Sequence, residues 1–130
     1  MFIELDLQSD VPIYTQLVNG ILEGIARGEL KPGDELPSVR MLATDLGINM
    51  HTVNKAYQLL KQEGFIQTHR KRGAVVNTEG FPGADEAYLQ RLEAMLKPLV
   101  AESICRRLDE ERFLEVCRAL YAQFRGQGGE

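Results

Sequence analysis

The sequence predicts a mainly α-helical chain with one small β-hairpin: a winged helix-turn-helix followed by a two-helix dimerisation region. Three observations predict it. Two runs with helical apolar spacing, residues 39–46 and 50–62, are separated only by the short turn Gly47-Ile48-Asn49. Two β-prone triplets, Phe65-Ile66-Gln67 and Ala74-Val75-Val76, flank a polar loop rich in positive charge. Beyond a stretch holding Gly80, Pro82 and Gly83, apolar residues again recur in steps of three and four.

Each element has a local signal. Residues 3–5 suit a short extended segment. Ser9 or Asp10 is placed to cap a first helix, with Pro12 near its first position. Ile13, Leu17, Ile21 and Ile25 give that helix one apolar stripe, and Gly28 stops it. Gly20 and Gly24 weaken the helix but admit a close neighbour. Residues 30–38 are turn chemistry, with Pro32-Gly33 making the turn and Pro37-Ser38 ending it. Ser38 caps a second helix whose inward face is Val39, Leu42, Ala43 and Leu46, and Gly47 ends it. Asn49 caps a third helix from about Met50 to Gln62, with Val53, Ala56, Tyr57 and Leu60 inward and Gly64 as the stop. The hairpin follows, its loop closing on Gly73. From about Asp85, Leu89, Leu92, Leu96 and Leu99 mark a helical run that Pro98 should kink or split. Asp109, with Glu110 and Glu111, forms the cap and first turn of a last helix carrying Phe113, Val116, Cys117, Leu120, Tyr121 and Phe124. The expected organisation is a winged helix-turn-helix domain at 1–77, a linker at 78–84, a helical dimerisation region at 85–125 and a flexible tail at 126–130.

Composition narrows the class. The 130 residues are 44% hydrophobic and 26% charged, as in a soluble globular protein. No run of 18 apolar residues is present, and the acidic first ten residues do not form a signal peptide, so a cytoplasmic protein away from membranes is expected. Cys105 and Cys117 have no metal-site spacing and read as buried, reduced thiols, with redox sensing as the alternative. His51 and His69 lack a third ligand, so no metal and no cofactor are expected. No nucleophile–base pair or phosphate-cradling glycine loop points to an enzyme.

The net charge of −4 argues at first against a nucleic-acid partner. Its distribution reverses that argument. Residues 31–77 carry seven basic and four acidic side chains, while the segments on either side are net acidic. A local positive patch is what steers a polyanion.

In a winged helix-turn-helix the third helix here would enter the major groove. Its outward positions include His51, Lys55, Gln58 and Gln62, flanked by Thr52 and Asn54. Amide side chains can bond adenine bidentately, and lysine can reach guanine or phosphate. The first turn, with Asn49 and Met50 at its start, should reach deepest. Ser38 and Arg40, at the start of the second helix, suit a phosphate clamp. The loop Arg70-Lys71-Arg72-Gly73 suits the DNA backbone or minor groove.

Residues 12–76 strongly resemble the N-terminal domain of the GntR family of bacterial transcription regulators. The resemblance rests on two long patterns with fixed spacing, Gly28-x-Leu30-x-Pro32-Gly33-Asp34-x-Leu36-Pro37-Ser38-x-Arg40 running on to Gly47, and Thr52-Val53-x-Lys55-Ala56-Tyr57 running on to Gly64. It implies DNA contacts at Arg40, Thr52 and Arg70–Gly73, with residues 49–55 reading bases. Met50-His51 departs from the Pro-Asn or Ser-Arg often found there, so the target sequence does not carry over. The short C-terminal part resembles the YtrA-type subfamily, whose two helices act in dimerisation and whose members often repress operons for ABC transporters.

The partners expected are therefore double-stranded DNA, as a pseudo-palindromic operator, and a second copy of the chain. The dimer would be held through Leu89, Leu92, Leu96, Leu99, Phe113, Val116, Leu120 and Phe124, because a two-helix appendage cannot bury so much apolar surface alone. An unidentified small-molecule effector is compatible with this scheme. The acidic net charge supports a second reading, a winged-helix interaction or structural module without a specific DNA site.

Overall fold

The computed structural model of the chain describes residues 3–128, with side chains as far as residue 125. The order of elements is α1 (Ile13–Ala26), α2 (Val39–Leu46), α3 (Met50–Gln62), β1 (Ile66–His69), β2 (Gly73–Val76), α4 (Glu86–Cys105) and α5 (Glu110–Gly128). The chain divides into two compact units, Met1–Pro82 and Gly83–Glu130.

The first unit is built on α3, which packs against both α1 and α2. Leu17 and Ile21 of α1, Leu42 and Ala43 of α2, and Val53, Ala56, Tyr57 and Leu60 of α3 are all buried. Ile66 and Val76 close this core from the hairpin side. Full burial of each larger aliphatic side chain contributes about 1.5–3 kcal/mol. Gly24 is the close approach in α1: a Cβ there would lie 3.0 Å from Leu30 Cδ1.

The helix ends follow the local rules, with one exception. Ser38 Oγ accepts the Met41 N–H at 3.0 Å, and Asn49 Oδ1 accepts the His51 N–H at 2.7 Å. Pro12, not Ser9 or Asp10, occupies the N-cap position of α1, and no side chain caps it. Ser9 Oγ instead accepts the Val11 N–H, while the Gln16 amide donates to the Asp6 and Val11 carbonyls. The amide of Gln16 thus ties down the entering chain, and residues 3–5 form no strand but pack Ile3 and Leu5 against the core.

The two strands pair antiparallel from Ile66↔Val76 to His69↔Gly73. The strands are displaced from the triplets 65–67 and 74–76 because pairing extends toward the tip. The segment before α2 is more than a turn. Glu35 bridges Val75, Gly33 N–H donates to the Val76 carbonyl at 2.8 Å, and Leu36 N–H donates to the Ala74 carbonyl at 2.9 Å. Strand β2 is therefore bonded on both edges. The break between units falls inside the stretch 78–84. Its first half is held by Thr78, whose N–H and hydroxyl both donate to Gln67 Oε1, and by Phe81 packed 6.0 Å from Phe65.

In the second unit, Asp85 Oδ1 accepts the Tyr88 N–H and Asp109 Oδ1 accepts the Arg112 N–H, each at 2.8 Å. Helix α4 runs unbroken through Pro98, so the helix is not split there. A proline removes one N–H from the ladder, and the rest of a 20-residue helix carries it. Helix α5 continues to Gly128, so residues 126–128 of the expected tail are helical. Residues 129 and 130 lie outside the described residues. None of residues 83–125 is buried. Cys105 is accordingly exposed and Cys117 half-buried, not the core thiols expected, because two helices alone provide no core. Among the described residues, no helix is long and apolar enough to cross a membrane.

Candidate nucleic-acid interface

Three elements meet beside the outer face of α3. A notch of about 240 Å³ is lined by Ser38 at the start of α2, by Asn54, Gln58 and Lys61 of α3, and by Thr68 and Gly73 of the hairpin. Lys61 Nζ donates to Thr68 Oγ1 at 3.1 Å, which ties the helix to the first strand. Tyr57 fixes the other side of the notch. Its hydroxyl donates to the Pro37 carbonyl at 2.7 Å, joining α3 to the residue preceding the α2 cap. Burial pushes the Tyr57 phenol from 10.0 up to about 12, so it stays a neutral donor across the physiological range.

Around this notch the sequence-predicted residues fall as follows. Ser38 and Arg40 are exposed, and the Ser38 hydroxyl also serves as the α2 cap. Asn49, Met50, His51 and Asn54 are exposed along the first turns of α3, and Thr52 is half-buried. Asn49 Oδ1 is already engaged as the α3 cap by the His51 N–H, although the residue is exposed. Lys55 is exposed but its Nζ sits 3.9 Å over the Tyr14 ring, so the lysine is shared with α1 by a cation–π contact. At the hairpin tip Arg70, Lys71, Arg72 and Gly73 are all exposed. Gly73 has φ +77°, a left-handed conformation that closes the tip and that other residues adopt only at a cost. Gly47, at φ +70°, does the same between α2 and α3.

The cations differ in their freedom. Among the described residues, Arg40, Arg70 and Lys71 form no ion pair within the chain, whereas Arg72 Nε donates to Glu35 Oε2 at 3.0 Å. His69 Nδ1 accepts the Lys71 N–H at 3.3 Å, which shapes the tip. The surface therefore offers unneutralised positive charge from α2 and the hairpin tip, with amide and hydroxyl groups between them. That combination suits a phosphate backbone on either side of exposed base edges.

Two members of the notch are new. Lys61 lies one turn beyond Gln58 on the same helical face, and that spacing could have identified it. Thr68 carries no sequence signal, since its place depends on how the hairpin docks on α3. The second group of residues, predicted to mediate dimerisation, stays uncovered along α4 and α5: Leu89, Leu99, Val116 and Leu120 are 44–54% exposed, and Leu92, Leu96, Phe113 and Phe124 are half-buried. Leu89, Leu92, Leu96, Val100 and Ile104 line one hollow along α4.

Comparison with known proteins gives the family and the fold. Residues 13–76 match the family described as bacterial regulatory proteins, gntR family. Over 124 residues, 95% of each chain, the sequence is 35% identical to the HTH-type transcriptional repressor YtrA of Bacillus subtilis. The solved structure of YtrA from Sulfolobus acidocaldarius, a GntR-family transcription factor, is 47% identical with a TM-score of 0.61 and covers 76% of this chain and 97% of its own. A transcriptional antiterminator from Listeria monocytogenes shares the fold at a TM-score of 0.87 over 95% of this chain and 92% of its own, with 24% identity.

Proposed function

The chain belongs to the GntR family of bacterial regulatory proteins, and from that premise we propose that it acts as a dimeric repressor on a pseudo-palindromic DNA operator. As a member it is a transcription regulator with a DNA-binding winged helix, not an enzyme. The proposed contacts divide by role. Arg40, with Ser38 and the free N–H groups at the start of α2, grips phosphate. Met50, His51, Thr52 and Asn54 face base edges, with Asn49 and Lys55 beside them. Arg70, Lys71, Arg72 and Gly73 bring the wing to the backbone or minor groove.

The observation that carries this reading is the notch where Ser38, Gln58 and Thr68, from three separate elements, line one surface. The exposed apolar residues of α4 and α5 support the dimer, since a patch of this kind on one chain is covered by a second copy in a twofold assembly. A twofold dimer places two recognition helices about one helical turn of DNA apart, which requires a pseudo-palindrome. We assign the regulated operon to an ABC transporter on the resemblance to YtrA-type regulators.

The test is selection of bound duplexes from a random pool, then gel-shift titration at fixed salt. An enriched palindrome is expected, and Arg40→Ala and Thr52→Ala each weaken binding roughly tenfold while leaving the melting temperature unchanged. No enriched palindrome, or unaltered affinity in both variants, contradicts the proposal and favours an interaction module.

A further inference from the structure

One side chain ties the hairpin tip to the segment ahead of α2. Arg72 Nε donates to Glu35 Oε2 at 3.0 Å, and Arg72 Nη2 donates to the Gly33 carbonyl. Both acceptors lie on the stretch that pairs with the outer edge of β2. That backbone pairing ends at Leu36 N–H to the Ala74 carbonyl, one residue short of the tip. The guanidinium reaches back from the tip alongside that pairing, to the Glu35 carboxylate and to the Gly33 carbonyl at its far end. Arg72 is thus engaged at two of its nitrogens, while Arg70 and Lys71 beside it have no internal ion pair among the described residues.

We propose that Arg72 is a positioning residue: the Arg72–Glu35–Gly33 bridge sets the angle of the wing, and Arg70 and Lys71 supply its phosphate contacts. This refines, and rests on, the DNA-binding reading given under Proposed function. It gives Glu35 a role that charge alone would not. A carboxylate beside a surface for a polyanion weakens binding through the field, so removing it should strengthen binding. If Glu35 holds the wing, removing it does the opposite, because the tip must then be ordered when DNA arrives.

The experiment uses the full chain and the duplex that the wild type selects from a random pool. Affinity and its salt dependence are measured for Glu35→Gln, Arg72→Ala, Arg72→Glu, and the exchange of Glu35→Arg with Arg72→Glu. Both residues are exposed, and melting temperatures confirm that each variant is folded. The bridge predicts that Glu35→Gln and Arg72→Ala each weaken binding about two- to fivefold with an unchanged salt slope. It also predicts that the exchange binds more tightly than Arg72→Glu alone. Equal or tighter binding by Glu35→Gln overturns the bridge and leaves the DNA reading standing. So does a salt slope lowered by about 0.9 per lost phosphate contact in Arg72→Ala, or an exchange no better than Arg72→Glu alone. A wild type that selects no duplex removes the DNA reading itself, and the bridge with it.

Discussion

At the scale of single residues, the proposed interface is held in shape by side chains outside the proposed DNA contacts. Tyr57 links α3 to the residue before the α2 cap through its bond to the Pro37 carbonyl. Tyr57→Phe leaves that carbonyl without its partner, and a loss of about 1 kcal/mol in urea unfolding at neutral pH is expected. The same phenol gives a pH dependence. Its folded value of about 12 lies above the ordinary 10.0, so the unfolded chain releases the proton first. The contribution is therefore whole below about pH 10 and declines as the pH rises toward about 12. Unfolding of wild type and Tyr57→Phe at pH 8 and pH 11 checks this: the gap between them should narrow at the higher pH, and an unchanged gap argues that the phenol is not desolvated. What sequence alone made visible at this scale were the caps, because Ser38 and Asn49 act on N–H groups only two or three residues away. The Tyr57–Pro37 bond, the Lys55–Tyr14 contact and the Arg72–Glu35 pair join residues 20, 41 and 37 positions apart, and only the assembled tertiary structure brings them together.

At the scale of elements, the third helix was legible to its ends because Asn49, its four inward residues and Gly64 all agree. The region before α2 was not, since Pro32-Gly33 announces a turn while the pairing of residues 33–36 with β2 depends on a strand forty residues later. The α1 start misled for a related reason: Ser9 and Asp10 are good caps, but Gln16 fastens the chain and Pro12 takes the cap position. Helix ends also give two stability predictions of opposite sign. Arg107 closes α4 at φ +67°, where its N–H donates to the Ile104 carbonyl and that of Leu108 donates to the Ser103 carbonyl. This is the reversal that glycine makes without strain. Arg107→Gly should therefore raise stability by about 1 kcal/mol. Gly24→Ala gains about 1 kcal/mol of helix propensity but drives a methyl group to 3.0 Å from buried Leu30, and overpacking costs about 1–3 kcal/mol, so the net effect should be destabilising. Urea unfolding at one fixed protein concentration checks both. A destabilised Arg107→Gly or a stabilised Gly24→Ala would show that the local geometry is relaxed elsewhere.

At the scale of the whole molecule, an anionic chain presents a cationic surface. Its −4 net charge is the sum of a basic middle and two acidic flanks, and the proposed DNA contacts are all drawn from the middle. If Arg40, Arg70 and Lys71 of both protomers each meet a phosphate, log K should fall with log salt at a slope of about −5. Slopes near zero would mean that the charges are bystanders. The apolar stripes of α4 and α5 set the second expectation at this scale. Leu99→Glu with Leu120→Glu should give a monomer by light scattering and lose the concentration dependence of the melting temperature, since both side chains are about half exposed in one chain. A dimer that survives this pair uses another surface. The most direct measurement of the shared DNA-facing surface is an amide chemical-shift map of the full chain titrated with its selected duplex. Shifts should gather at residues 38–40, 49–55 and 68–73 together. Shifts confined to α1 and the second unit, with the α3 face unmoved, would contradict it.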